Sequence, residues 1–310
     1  HISGEMPTAI LDSQNRGNYS EKQLEEVKKQ LGLEEHFFYF GFKRNSFSSI
    51  YYPAFQWNGT KNRFHRYLKS VFDGSLGYSL YYKTEVWEVI KAPLLRTLII
   101  NIIATILVYS VGLSLGYFQA LNKNSKITGI SDTLGHTFYA IPNFWLALLL
   151  LWLFSNRQML YIFPSTGWYW NSDEFWLSSL FKFSYHLILP IICLVAGAVI
   201  YISSIFRQKL NIEMKKTYFT SLRSRGFSKS YIMKKYVLKV AIIPVISVST
   251  GVLPALIGTT IIIENIFSIP GIGKLTYSAF FTRDLQIVYA ITLLTSILTW
   301  INWILADYLY

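Results

Sequence analysis

Two features of this sequence could carry chemistry: its histidines, which could bind a metal ion, and one glycine-rich stretch, which could bind phosphate. The five histidines show no HExxH pairing and no spacing that places two of them on one helical face as metal ligands. Residues 270–275 read Pro-Gly-Ile-Gly-Lys-Leu, which superficially matches a phosphate-binding loop. Such a loop needs a glycine five positions before Gly273 and a Ser or Thr after Lys274, where the sequence has Ser268 and Leu275. We therefore expect no catalytic residue, metal site, cofactor or nucleotide hydrolysis in this chain.

A cationic segment between two long apolar runs carries the strongest signal. Residues 207–239 hold ten Lys or Arg and one acid, Glu213, with Gly226 near the centre. The short stretches 155–185 and 264–286 instead hold two basic residues each, balanced by two acids each. Because short loops rich in Lys and Arg remain on the cytoplasmic side of a membrane, residues 207–239 are predicted to be cytoplasmic.

Composition points to a chain that is solvated by lipid. Hydrophobic residues make up 52% and charged residues 15% of the 310 positions, whereas soluble domains have about 25% charged residues. The net charge of +12 comes mostly from the cationic segment, so it indicates membrane topology and contact with lipid, and not nucleic-acid binding. Cys193, the only cysteine, lies in an apolar run, which excludes a disulfide within one chain.

The predicted fold is an all-α membrane protein, a helical bundle with five transmembrane helices. Five runs approach the roughly 20 residues that cross a bilayer, namely 98–118, 138–154, 187–206, 240–263 and 287–310. Pro142 lies near the start of the short second run. The fourth run is interrupted by prolines and glycines, for which close helix packing and a role in a transport pathway are both open.

Residues 1–93 form a separate, more polar region with twelve Lys or Arg and ten acids. If the first apolar run ends inside, this region is extracytoplasmic. A segment that begins at His1 without an apolar run of its own needs an anchor to be placed there, so we expect that a sixth, N-terminal helix is missing from this sequence. An aromatic-rich stretch at 36–67 has no evident role. The remaining residues, 94–310, are predicted to be the transmembrane domain.

The cationic segment also resembles a known element. Residues 218–228 read Tyr-Phe-Thr-Ser-Leu-Arg-Ser-Arg-Gly-Phe-Ser, which is similar to the Y-x-x-T-A-R-A-K-G-L-S pattern of ATP-binding-cassette importer permeases of the oligopeptide, dipeptide and nickel branch. Arg223, Arg225, Gly226 and Ser228 carry the match. In that family the pattern belongs to the cytoplasmic coupling loop. Thr220 stands where the wider superfamily often has a glutamate.

Further stretches resemble the same branch in the same order along the chain. Residues 72–79 are similar to its G-D-L-G-x-S element, 139–145 to S-x-P-x-F-W, and 186–190 to H-L-I-L-P. Residues 264–275 are similar to E-x-I-F-x-x-P-G-x-G-x-L, and 283–284 to the Arg-Asp that follows. The resemblance implies that a set of residues forms the external mouth of a permease. This set consists of Glu264, Phe267, Pro270, Gly271, Gly273, Arg283 and Asp284.

The resemblance implies a permease subunit of an ATP-driven importer, with peptides as the expected substrate, in the bacterial cytoplasmic (inner) membrane. It also implies four partners: two cytoplasmic ATP-binding subunits, a second homologous permease subunit and an extracytoplasmic substrate-binding protein. The residues expected to contact the ATPase are Tyr218, Phe219, Leu222, Arg223, Arg225, Gly226 and Ser228, with the three apolar side chains filling a groove on the partner.

Two alternative readings remain open. A secondary transporter needs ionisable groups inside the membrane, and the five runs contain only Asp307 near the end of the last one. A membrane protein without transport activity would use its basic loop only for topology and for attraction to anionic lipid. In that case Gly226 simply ends a surface helix.

Overall fold

The computed structural model describes residues 36, 38–44, 53–60, 62–79, 81–169 and 176–309. These residues fall into two compact units. The smaller unit comprises the described residues up to Val89 together with Phe281–Gln286, and the larger unit comprises Ile90–Phe280 and Ile287–Tyr310. Much of the segment 1–93 that was predicted to be extracytoplasmic therefore lies outside the described residues.

The smaller unit contains a β-hairpin, one helix and a second, very short strand pair. Strands β1 (Phe40–Arg44) and β2 (Pro53–Trp57) pair in antiparallel fashion, and α1 (Arg63–Phe72) follows. Strands β3 (Tyr78–Ser79) and β4 (Thr84–Glu85) form the second pair.

Long apolar helices dominate the rest of the chain. In chain order the elements are α2 (Val86–Leu121), α3 (Lys126–Ala140), α4 (Asn143–Phe154), α5 (Trp176–Glu213), α6 (Thr217–Ser224), α7 (Lys229–Ile232), a π-helical turn (Met233–Val237), α8 (Leu238–Ala241), α9 (Ile243–Ile266), α10 (Ile272–Phe281) and α11 (Leu285–Leu309). Among the described residues, α2, α5 and α11 are each long and apolar enough to cross a membrane. The pair α3 and α4 would be a fourth crossing if the two helices form one bent span.

The second apolar run is not one straight helix. Helix α3 ends at Ala140, Ile141 is extended with φ −79° and ψ 125°, and α4 begins after Pro142 at an angle of 105° to α3. Proline disfavours helical backbone at the preceding residue and has no N–H to continue a helix, so Pro142 explains the break. The predicted run 138–154 therefore begins in the last turn of α3 and continues through α4.

The fourth run is less interrupted than its sequence indicates. Helix α9 is continuous from Ile243 to Ile266, with Pro244 in its first turn. Proline is tolerated there because the first N–H groups of a helix have no partner within the helix. The predicted run 240–263 is therefore interrupted at Ile242, between α8 and α9 and close to Pro244, whereas α9 is helical through Gly251, Pro254 and Gly258.

Close packing of α2 on α5 organises the core of the larger unit. A Cβ atom at Gly116 would lie only 2.6 Å from the backbone oxygen of Ser203, and one at Gly112 would lie 3.1 Å from Cγ2 of Ile202. Two glycines four residues apart thus let the helix backbones approach closely. Buried side chains such as Val108 and Ile202 fill the interface around them.

Candidate functional site

Helix α6 begins four residues after Glu213, the last residue of α5, and ends in a hydrogen-bonded turn at Gly226. The N–H of Phe227 donates to the carbonyl of Leu222 at 3.2 Å, and the N–H of Gly226 donates to that of Arg223 at 3.1 Å. These two bonds form a Schellman motif, in which the residue after the helix adopts a left-handed conformation. Gly226 has φ +87°, as this motif requires.

Space around Gly226 is open, because a Cβ atom there would have no described neighbour within 4 Å. Its requirement for glycine therefore lies in the backbone conformation and not in crowding. The next residues continue a hydrogen-bonded path, since Nη1 of Arg223 donates to the carbonyl of Phe227 at 3.1 Å. Ser228 then caps α7 by accepting the N–H of Tyr231 at 3.3 Å.

The apolar face of α6 points toward its own chain. Tyr218, Phe219 and Leu222 are half-buried and pack against the core of the larger unit. The contact of these three side chains with a groove on a partner stays a prediction, to be made through the part of each side chain that remains exposed. The face that a partner can reach is polar and cationic, with Thr220, Ser221, Arg223, Ser224 and Arg225 exposed.

A buried carboxylate ties α6 to the end of α5. Glu213 is 1% exposed, and its Oε1 lies 2.8 Å from Nζ of Lys216 and 3.2 Å from Nζ of Lys209. The hydroxyl of Tyr218 donates to Oε2 of Glu213 at 3.1 Å. Burial, and next the hydrogen bond to this carboxylate, raises the pKa of Tyr218 to about 12. These contacts therefore fix the start of α6 to the end of α5.

Glu264 anchors the segment that was predicted to form the external mouth. The residue is 1% exposed; its Oε1 accepts the hydroxyl of Thr97 at 2.6 Å, and its Oε2 accepts the N–H of Lys274 at 3.0 Å. Thr97 in turn accepts the N–H of Ile272 at 2.8 Å. The first N–H groups of α10 are thus satisfied by α2 and α9, which fixes α10 against both helices.

The glycines of this segment are required by close approach. A Cβ atom at Gly271 would overlap the carboxylate of Glu264, and one at Gly273 would lie 2.5 Å from Cα of Ile261. The carbonyl of Pro270 accepts Nη1 of Arg96 at 3.0 Å. Phe267 is fully buried, and its carbonyl accepts the N–H of Gly167 at 2.7 Å. Most of these predicted mouth residues therefore hold the backbone in place and are not exposed contact groups.

Arg283 and Asp284 belong to the smaller unit. Arg283 adopts a left-handed conformation with φ +57°. Asp284 is 4% exposed, and its Oδ2 accepts the hydroxyl of Ser79 at 2.5 Å and the N–H of Tyr81 at 3.4 Å. Two stretches matched separately to the family, residues 72–79 and 283–284, are thus joined by a buried hydrogen bond.

Sequence reasoning missed several polar residues that position these elements. Nη1 of Arg207 lies 2.6 Å from each carboxylate oxygen of Asp132, which links α5 to α3. The side-chain amide of Gln119 donates to Ser131 at 3.0 Å and accepts from Ser203 at 3.1 Å. These residues could have been recognised as polar side chains within or next to an apolar run. An unpaired polar group is energetically costly there, so each such side chain is expected to have a hydrogen-bond partner.

The described residues contain no group of three His, Cys, Asp or Glu side chains that would hold a metal ion. They do contain a cavity of about 520 Å³ between α2, α9, α10 and α11. Hydroxyl side chains line much of it, including Thr97, Thr260, Thr276, Thr292, Thr295 and Thr299. Trp300 and Trp303 complete the wall.

Comparison with known sequences gives matches over most of the chain. The chain is 32% identical over 247 residues to the oligopeptide transport system permease protein AppB of Bacillus subtilis (strain 168), covering 79% of this chain and 76% of that protein. It is 28% identical over 263 residues to the dipeptide transport system permease protein DppB of Alkalihalophilus pseudofirmus, covering 79% of this chain and 77% of that protein.

Comparison with solved structures supports the same fold. A chain from inward-facing conformations of the MetNI methionine ABC transporter matches with a TM-score of 0.55 at 17% identity, covering 71% of this chain and 94% of that one. The family described as binding-protein-dependent transport system inner membrane component matches residues 112–310. This matched region includes α6, the turn at Gly226 and the Glu264 anchor. The protein therefore belongs to that family, and it is a multi-pass permease subunit of the bacterial inner membrane.

Proposed function

We propose that this permease imports peptides, driven by ATP hydrolysis on two separate cytoplasmic subunits. The names of the similar permeases from Bacillus and Alkalihalophilus support a peptide substrate. A second, homologous permease subunit completes the membrane pathway, and an extracytoplasmic binding protein delivers the substrate. The family description, which specifies transport that depends on a binding protein, supports the last of these partners.

The proposed topology has five crossings in this sequence, formed by α2, the bent pair α3 and α4, α5, α9 and α11. The 24-residue length of α9 and the charge bias of the loops support the count. In this topology the coupling loop, residues 207–239, is cytoplasmic. Residues 1–93 and the loop 264–284 are extracytoplasmic, and the loop faces the binding protein.

The geometry of α6 is the single observation that carries the mechanism. The helix packs its apolar face inward, presents Thr220, Arg223 and Arg225 outward, and is fixed to α5 through Glu213. A partner with acidic groups can bind the exposed arginines through charge-assisted hydrogen bonds. Motion of that partner then reaches the membrane part through α5 on one side and through Ser228, α7 and the π-helical turn on the other.

The cavity lined by hydroxyl groups is the proposed path for the substrate within this subunit. Four of its threonines, Thr276, Thr292, Thr295 and Thr299, donate their hydroxyl hydrogens to carbonyls of their own helices, as Thr292 does to that of Val288 at 2.8 Å. The hydroxyl oxygens keep the capacity to accept further hydrogen bonds, which suits the N–H groups of a peptide backbone. Among the described residues that line the wall there is no Lys, Arg, Asp or Glu, so peptides with different side-chain charges meet a neutral surface there.

Reconstitution tests the proposal. The permease pair, the ATPases and the binding protein are placed in liposomes, and uptake of a labelled peptide is measured with ATP, with a non-hydrolysable analogue, and without the binding protein. We expect uptake only when ATP and the binding protein are both present. Uptake driven by a proton or sodium gradient without ATP would instead establish a secondary transporter and would contradict the proposal.

A further inference from the structure

The aromatic hairpin of the smaller unit is a feature that permease function does not explain. Phe40 of β1 pairs with Trp57 of β2, and Phe55 lies two positions before Trp57. Because side chains two positions apart on a strand share a face, these three aromatic residues occupy one side of the hairpin. The rings of Phe40 and Phe55 stack with centroids 6.0 Å apart.

This aromatic face is open to solvent in the isolated chain. Phe40 is 46% exposed, and Phe55 and Trp57 are each 65% exposed. The other contacts of the hairpin hold it in place: the ring of Phe38 packs on Phe64 of α1 with centroids 4.8 Å apart. The hydroxyl of Tyr39 lies 3.0 Å from Nδ1 of His65. The face is therefore part of a fixed small fold, presented outward by α1.

The sequence around the hairpin carries a net positive charge. From Glu34 to Asp73 it has six Lys or Arg residues and three acids, Glu34, Glu35 and Asp73. Exposed aromatic rings together with cationic side chains are the combination found at membrane–water interfaces, where the rings enter the headgroup layer and the cations meet lipid phosphates. This net positive charge complements acidic headgroups.

We propose that the aromatic face formed by Phe40, Phe55 and Trp57 binds the surface of the membrane, with acidic phospholipid headgroups as its ligand. The smaller unit extends to Val89, within the long apolar helix α2, so its chain continues directly into a helix that can cross a bilayer. The hairpin then holds the extramembrane unit on the bilayer. This role is independent of the proposed peptide transport.

Fluorescent labelling tests the proposal in the full-length protein. A cysteine at Phe55→Cys is labelled with an environment-sensitive dye, and Gln56→Cys on the opposite face is the matched control. The unsubstituted protein measures the background, because its single cysteine, Cys193, is fully buried. The labelled proteins are placed in nanodiscs of phosphatidylcholine, with or without phosphatidylglycerol, and exposed to a lipid-attached quencher or to iodide.

We expect the dye at position 55, and not at 56, to show blue-shifted emission, loss of fluorescence with the lipid-attached quencher and protection from iodide. The protection should be stronger with phosphatidylglycerol and should weaken in 1 M salt, where the Debye length falls to about 3 Å. Equal iodide quenching at both positions in both lipids would overturn the proposal. Protection of position 55 that appears only when the binding protein is added would also overturn it, in favour of a protein-docking surface.

Discussion

Glu264 shows, at the scale of a single residue, how a conspicuous motif position can serve the scaffold. Its two carboxylate oxygens accept from the hydroxyl of Thr97 and from the N–H of Lys274, and Glu264 itself is 1% exposed. The side chain therefore joins α2, α9 and the first turn of α10. Gly271 is small because this carboxylate occupies the space where its Cβ would lie.

Removing the Glu264 carboxylate should destabilise the permease. Glu264→Ala leaves the Thr97 hydroxyl and the Lys274 N–H without their acceptor. Each buried group left unsatisfied should lower the free energy of unfolding by about 1–3 kcal/mol. Glu264→Gln keeps one acceptor oxygen of the same reach and should lose much less. Thermal unfolding in detergent measures both variants. Equal melting temperatures for Glu264→Ala and the unsubstituted protein would show that the carboxylate does not anchor α10.

Arg223 and Arg225 are the residues through which a partner is expected to bind α6. Replacing both with alanine should weaken co-purification of the ATPase gradually, because each exposed charge pair is worth about 1 kcal/mol or less. Higher salt should likewise weaken co-purification of the ATPase with the unsubstituted permease, because salt screens exposed charge pairs. Lys123→Ala, in the short loop between α2 and α3, is the control and should leave co-purification unchanged. An unchanged yield for the double variant would contradict the assigned surface.

Helix packing is the decisive feature at the scale of elements. Helices α2 and α5 approach so closely at Gly116 that there is no room for a side chain. A Cβ atom there would lie only 2.6 Å from the backbone oxygen of Ser203. Hydrogen bonds from Gln119 to Ser131 and from Ser203 to Gln119 then connect α2, α3 and α5. Rigid coupling among these helices is what a transmitted motion requires.

Gly116→Ala should therefore force the two helices apart. The overpacking should lower the free energy of unfolding by roughly 1–3 kcal/mol. Gly129→Ala is the matched control, because a Cβ there has no described neighbour within 4 Å. The control should be neutral or more stable by about 0.5–1 kcal/mol, since alanine favours a helix. Urea or thermal unfolding of both variants in the same detergent compares them. A Gly116→Ala protein as stable as Gly129→Ala would contradict the close crossing.

Sequence patterns gave the apolar elements and the turn at Gly226, because both depend on local chemistry. Runs of apolar residues form α2, α5 and α11, and the glycine after a short cationic helix takes the left-handed conformation. The inward orientation of Tyr218 was not predictable, since an amphipathic helix shows the same pattern whether its apolar face meets its own core or a partner. The pairing of Thr97 with Glu264 was missed because the two residues lie 167 positions apart.

At the scale of the whole molecule, the proposed topology predicts opposite accessibility for two loops. A cysteine at Gln158→Cys, in the loop between α4 and α5, should react with an impermeant thiol reagent in intact cells. One at Ser230→Cys, in the cytoplasmic coupling loop, should react only after the membrane is opened. Both positions are exposed, so burial does not explain a difference. The reverse pattern would invert the topology and place the coupling surface outside.

We propose one sequence of motions for the whole molecule. In it an ATPase subunit binds the cationic face of α6 and moves this helix, which is held to α5 by Glu213 and Tyr218. Helix α5 is packed against α2 and linked to α3 by Arg207 and Asp132. The path from the cytoplasmic surface to the membrane helices thus consists of fixed contacts, and the direction in which α6 points is set by the turn at Gly226.

Substrate uptake by variants of Gly226 tests the central claim most directly. Gly226→Val should insert normally but lose uptake, because a β-branched residue adopts the left-handed conformation at a cost of roughly 1–2 kcal/mol or more and reorients α6. Gly226→Asn, which tolerates that conformation, should retain most of the uptake. Peptide uptake and ATPase co-purification are measured at matched expression. Loss with valine and retention with asparagine is the predicted result, whereas full uptake by Gly226→Val would contradict a coupling role for α6.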